Sequence, residues 1–202
     1  MTFSALFYGL CVVCTDPVGL DPKVTEIVEQ TRTTSATYSL YSWNTVISPD
    51  GKSKGAFSAE FHKGALHRVE TEVARIVADC SMMTGSALFL GSGEIVRGEE
   101  VAKAACGINT ATPIIGSKLV GTVETKFGPA TRVAIKDAQN LRLYDVSTDG
   151  ILVNAAYATL DDRPEVLNAP IGVKRKLPEV DIFSEQSLSR IVTPAAFRTR
   201  PD

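Results

Sequence analysis

From Ala36 to Thr159 the chain repeats one unit, a short segment of alternating apolar and polar residues closed by a turn signal. The signals are Asp50-Gly51, Lys63-Gly64, Gly91-Ser92-Gly93 and Asp149-Gly150. Alternation with period two sends successive side chains to opposite faces, and glycine supplies the backbone freedom of a tight reversal. The pattern therefore predicts a meandering antiparallel sheet. With 202 residues, 44% of them hydrophobic and 22% charged, the chain can bury one sizeable core. Residues 20–202 read as a single domain with a loosely held C-terminal tail.

Two helices interrupt the rhythm. Asp21-Pro22 ahead of Val24, Ile27 and Val28 gives an N-cap, a proline at the tolerated first position and helical spacing, which predicts a helix over 22–31. Residues 99–106 form the second, with Glu99 and Glu100 in the first turn and Gly107 after the end. The segments 36–48, 55 onward, 74–78, 86–90, 119–126, 131–137, 141–146 and 151–159 read as strands. A three-residue loop His62-Lys63-Gly64 would pair Phe61 with Ala65, Ala59 with His67 and Phe57 with Val69, placing all six on one face. Residues 160–178 turn to Asp, Arg, Pro and Asn and read as a connector with one edge segment around 172–174. Ser184 caps a short helix over 185–191.

The chemistry is sparse. Twenty-one Lys and Arg stand against 23 Asp and Glu, a formal charge of −2, which argues against the basic surface of a nucleic-acid binder. The two histidines, His62 and His67, cannot make a three-histidine or His-Glu-x-x-His metal site. No nucleophile elbow, Ser-x-x-Lys or phosphate loop is present, so no catalytic residue, cofactor or metal is expected. Cys11-Val-Val-Cys14 lies in an apolar run without a second ligand pair. Of the acidic pairs, Glu70 and Glu72 share a strand face with Arg68 and read as a solvated charged surface. Lys174-Arg175-Lys176 is too short for a polybasic membrane site.

Residues 3–13 form an apolar stretch well short of the roughly 20 residues of a membrane-spanning helix. Within 1–19 they read as the apolar part of a secretory signal, the other reading being a buried N-terminal strand. Loss of that segment would leave Cys80 and Cys106, which either pair in an oxidising compartment or stay as buried thiols. Tyr41, Trp43, Phe57, Phe61, Phe89, Phe127, Leu141, Leu143 and Tyr157 carry the remaining signal. Core packing explains them, and so does an apolar cleft left where a curved sheet wraps short helices incompletely.

An early amphipathic helix, a long meander, a mid-chain helical insertion and the late hairpin of Tyr144-Asp-Val-Ser-Thr-Asp-Gly-Ile-Leu-Val153 together resemble the LolA/LolB-like lipoprotein-carrier superfamily. That resemblance implies an α+β fold: a strongly curved antiparallel sheet, an unclosed half-barrel, with short helices packed on the concave side as a lid over a hydrophobic cavity. It further implies a periplasmic or secreted, non-enzymatic carrier or sensor of a lipid or other apolar molecule, with no transmembrane span. The segments 94–107 and 177–183 depart from the carriers. Two other readings stand beside this one. The first is an envelope interaction or signalling module that contacts a protein partner through a sheet edge or the Arg68/Glu70/Glu72 face. The second is a small α+β enzyme with His67 as its acid-base residue, which would need a carboxylate beside His67 in a pocket.

Overall fold

The computed structural model describes residues 19–47, 52–138, 140–159, 165–174 and 176–199. The apolar segment 1–18, the Asp50-Gly51 turn and residues 160–164 lie outside them. Helix α1 (Pro22–Thr33) starts where Asp21 accepts a hydrogen bond from the Lys23 amide at 2.9 Å. The second carboxylate oxygen of Asp21 accepts from the Leu119 amide at 3.1 Å, so the cap also ties α1 to the sheet.

Eleven strands follow: β1 (Thr37–Ile47), β2 (Ser53–Lys63), β3 (Leu66–Thr71), β4 (Ala74–Asp79), β5 (Thr84–Phe89) and β6 (Ile95–Arg97) precede helix α2 (Glu99–Ala105). Then come β7 (Gly116–Thr125), β8 (Gly128–Lys136), β9 (Asn140–Ser147), β10 (Leu152–Thr159) and β11 (Glu165–Lys174). They form one sheet in the order β6-β5-β4-β3-β2-β1-β11-β10-β9-β8-β7, antiparallel at every pairing. Among the described residues β6 and β7 do not pair, so the sheet is an open, curved α+β half-barrel with its helices on the concave side. Two 3₁₀ turns, Glu185–Ser189 and Ala195–Phe197, end the described chain.

The register of β2 and β3 corrects the expected loop. The turn has two residues, Gly64-Ala65, with Gly64 at φ +59°, and it pairs Lys63 with Leu66, His62 with His67, Phe61 with Arg68 and Ala59 with Glu70. One residue fewer in the loop flips every side chain of β3 relative to the three-residue expectation. Arg68 and Glu70 therefore share the face of Phe57, Ala59 and Phe61, while His67 and Val69 join Glu60 and His62 on the other.

Both faces of this half are covered. On the concave face α2 packs Ala102, Ala105 and Cys106 against Ala78 and Cys80, with Val69 and Ile76 beside them, and a Cys80–Cys106 disulfide staples helix to sheet. On the outer face Tyr41, Ala59 and Phe61 are capped by Leu177, Ile182, Phe183, Val192 and Phe197. Of the loose tail expected there, the part up to Phe197 is held. In the other half α1 lays Val24 onto Val133, Ile135, Tyr144, Val146, Leu152 and Ala155.

Two further expectations change. The supposed connector contains the ten-residue strand β11, which sits at the centre of the sheet between β1 and β10. The predicted helix over 185–191 is a 3₁₀ turn, and Ser184 makes no side-chain cap bond.

Candidate functional site

The loop from α2 to β7 doubles back against α1. Gly107 adopts φ +71°, and a Cβ there would stand 2.4 Å from the Thr31 hydroxyl, so only glycine allows this approach. The Thr31 hydroxyl donates to the Val28 carbonyl at 2.8 Å and accepts from the Ile108 amide at 3.1 Å. Ile108 is thereby driven into the core, and Arg142 donates to the Asn109 carbonyl at 2.8 Å from below.

Between α1 and this loop runs a groove of about 720 Å³. Val28, Cys106 and Ile108 supply its apolar floor, and Glu26, Glu29 and Arg32 stand on its charged rim. Arg32 pairs with Glu29 and reaches the Met83 sulfur at 3.5 Å, which fixes that side of the rim.

Beneath the helices lies a polar interior. Tyr38 stacks on His62 with ring centroids 4.7 Å apart, and His62 abuts His67 at 3.1 Å. Burial pushes His62 down to about 2, with His67 beside it adding to the effect. Burial also brings His67 down to about 4, against the pull of the Ala105 carbonyl. Both rings are neutral at physiological pH. Glu60, half-buried on the same face, is pushed up to about 7 by burial.

On the other half Arg142 pairs with Asp137 at 3.1 Å and donates to the Tyr144 hydroxyl at 3.2 Å, which lies 3.3 Å from that of Tyr157. Burial raises both phenols, and Glu60 acts electrostatically on Tyr157. Among the described residues no carboxylate hydrogen-bonds His67; its ring meets that of His62, and its Nδ1 faces the Ala105 carbonyl. The carboxylate partner that the enzyme reading requires makes no hydrogen bond to it among the described residues.

The nine aromatic and aliphatic residues singled out by sequence are dispersed. Tyr41 and Phe61 lie together on the outer face, where Phe197 stacks on Tyr41 at 4.1 Å. Trp43 stands opposite Phe57, half-buried, with its indole over Gly55. Leu143 is buried with Ala134 in a small separate cluster, and Leu141 is half-buried. Phe89 and Phe127 are 43% and 37% exposed. Of the nine, Tyr157 packs against the core cluster beneath α1. The groove-lining Ile108 and Cys106 were not among them; only the helix end at Gly107 hinted at their position.

The Arg68/Glu70/Glu72 face is corrected. Arg68 and Glu70 are both 0% exposed, and Glu72 alone faces solvent. Arg68 bonds Glu70 at 2.8 Å and donates to the Ile182, Ser187 and Arg190 carbonyls and the Ser187 hydroxyl. Glu70 accepts from the Val192 and Thr193 amides and the Thr193 hydroxyl. The pair is an anchor for the C-terminal segment.

No family model matches the chain, and no curated protein does. Solved structures similar to it include a LolA superfamily protein from Nitrosomonas europaea, 11% identical over 81% of this chain and 98% of that one, with a TM-score of 0.44. A putative outer membrane lipoprotein-sorting protein domain from Vibrio parahaemolyticus is 5% identical over 83% and 97%, with a TM-score of 0.45. PNGF-II is 15% identical with a TM-score of 0.50, over 75% of this chain and 29% of that one. The likeness is one of fold alone.

Proposed function

We propose that the chain is an exported, non-enzymatic carrier or sensor that holds a lipid or other apolar molecule between α1 and the loop that follows α2. The observation that carries this reading is the groove itself. Its volume, about 720 Å³, falls in the roughly 300–1,000 Å³ range of small-molecule sites, and its floor of Val28, Cys106 and Ile108 is apolar under a charged rim. Burial of ligand methylenes would drive binding at roughly 0.8 kcal/mol each. The disulfide supports an oxidising compartment, and no helix among the described residues is long and apolar enough to cross a membrane. Tyr157 packs against the core beneath α1 and does not line the groove, whereas Phe61 lies under the C-terminal segment, where a substitution would test folding.

Native mass spectrometry of the chain recovered from the exported fraction, followed by denaturing lipid extraction, tests the proposal. Co-purifying acyl species that disappear in Val28→Glu, with folding intact, are the expected result. An empty wild-type protein, or a Val28→Glu variant equally loaded, would overturn it.

A second reading is favoured by one observation. Phe89, Leu90, Ile95 and Val96 are all exposed where β6 leaves the sheet edge unpaired among the described residues. An envelope protein partner pairing there would fit. An empty wild-type chain whose photocrosslinker at Val96 captures one recurring envelope protein would favour this reading.

A further inference from the structure

His67 sits where β3, the end of α2 and the disulfide meet, with 1% of its surface exposed. Its Nδ1 lies 3.3 Å from the Ala105 carbonyl oxygen. A carbonyl only accepts, so the proton belongs on Nδ1 and Nε2 is left as a bare lone pair. Among the described residues that nitrogen has no hydrogen-bond partner, an unfavourable state for a buried polar atom. A histidine ligand in a metal site shows this arrangement, with one nitrogen tied by its proton to a backbone carbonyl and the other free. One ring nitrogen of His67 and the sulfurs of Cys80 and Cys106 all lie within 4.8 Å of one another. Two sulfurs and an imidazole form a donor set suited to zinc.

We infer that reduction of the Cys80–Cys106 disulfide converts this corner into a Cys₂His site for a zinc-class cation, with His67 as the ligand already in place. A dithiol supplies the two electrons and two protons: the S–S bond breaks, two thiols form, and the dithiol leaves as its own disulfide. On binding the cation the thiols release those two protons to solvent, and both sulfurs bond as thiolates. His67 keeps its proton on Nδ1, against the Ala105 carbonyl, and has none to lose at Nε2. The α1 groove is the way in, since Cys106 lines it. His62, whose Nδ1 is also buried without a hydrogen-bond partner among the described residues, adjoins the His67 ring. The inference is independent of what the groove carries.

The test uses the whole chain, reduced with a dithiol, desalted without oxygen and titrated with Co²⁺ as the zinc analogue. The expected result is saturable uptake with thiolate-to-cobalt charge-transfer absorption, absent from the oxidised chain and from the C80S/C106S variant. His67→Gln, confirmed as folded in its oxidised form, is expected to bind at least about tenfold more weakly. Absence of the charge-transfer band in the reduced wild type would overturn the inference, as would equal affinity in His67→Gln. A reduced chain that loses its fold and is not restored by the cation would overturn it too.

Discussion

Glu70→Gln keeps the shape of the side chain and removes its charge, leaving the fully buried Arg68 guanidinium without a counter-ion. The guanidinium retains acceptors at the Ile182, Ser187 and Arg190 carbonyls, but dipoles do not replace an anion at 2.7 Å. Breaking a buried pair from one side costs about 3–5 kcal/mol. For a chain of this size that corresponds to a fall in Tm of roughly 6–20 °C. Urea denaturation and calorimetry measure it directly. The double variant Arg68→Met/Glu70→Leu removes both charges, so it is expected to recover most of the global stability. It should nevertheless release the segment around Ser187 to proteolysis, because the bonds that hold that segment come from these two side chains. A loss below about 1 kcal/mol in Glu70→Gln, or a double variant no better than the single one, would refute the assignment of the pair as a charge-compensated anchor.

Replacing both cysteines in C80S/C106S is expected to cost about 3.5 kcal/mol in urea denaturation, the loop-closure entropy of a 26-residue separation. Gly107→Ala meets both a positive φ and Thr31, so a loss of at least about 2 kcal/mol with weakened ligand uptake is expected, and a loss under about 0.5 kcal/mol would contradict the close approach. Stability should vary with pH on the acid side of neutrality. Glu60 is raised from 4.5 to about 7, so its contribution is fully present below pH 4.5 and is lost as pH rises to 7. His62 and His67 are lowered from 6.5, so theirs is present above 6.5 and lost as pH falls toward 4 and below. Two histidines outweigh one carboxyl in the acid range, so stability is expected to be level above about pH 7 and to fall below it. Glu60→Gln removes the opposing contribution and should steepen the fall between pH 7 and 4.5.

The parts legible in the sequence are those set by neighbours along the chain. Asp21-Pro22 announced α1, and Gly107 marked the end of α2, because caps act within a few residues. The alternating segments announced the meander for the same reason. β11 was hidden because Pro170 and Gly172 break the pattern, and the sheet absorbs them at an irregularity: Pro170 faces Ser42 where the β1 register shifts. Arg68 and Glu70 looked like a solvated face because the groups that satisfy them arrive from residues 182–193, more than a hundred positions away. The groove depends on α1 meeting a loop some 75 residues later, a contact for which Thr31 and Gly107 carry no local signal. The aromatic residues were found, but a one-residue change of register decides the face, and sequence alone does not choose between a two- and a three-residue turn.

The strand order has a consequence for how the molecule is made. β1 to β6 build outward from one side of a seam, and β7 to β11 return to it from the other, so each half can form from hairpins between consecutive strands. The halves are stitched where Ser39 meets Lys174 and Ile47 meets Glu165. Until the last fifth of the chain is available, β1 is an open edge of eleven residues that includes Tyr41 and Trp43. Long-range strand pairing of this kind is slow and leaves an adhesive edge exposed in the meantime. A growing or translocating chain would therefore need that edge shielded, and refolding should show a late phase sensitive to substitutions in β11 and insensitive to those in the outer hairpins.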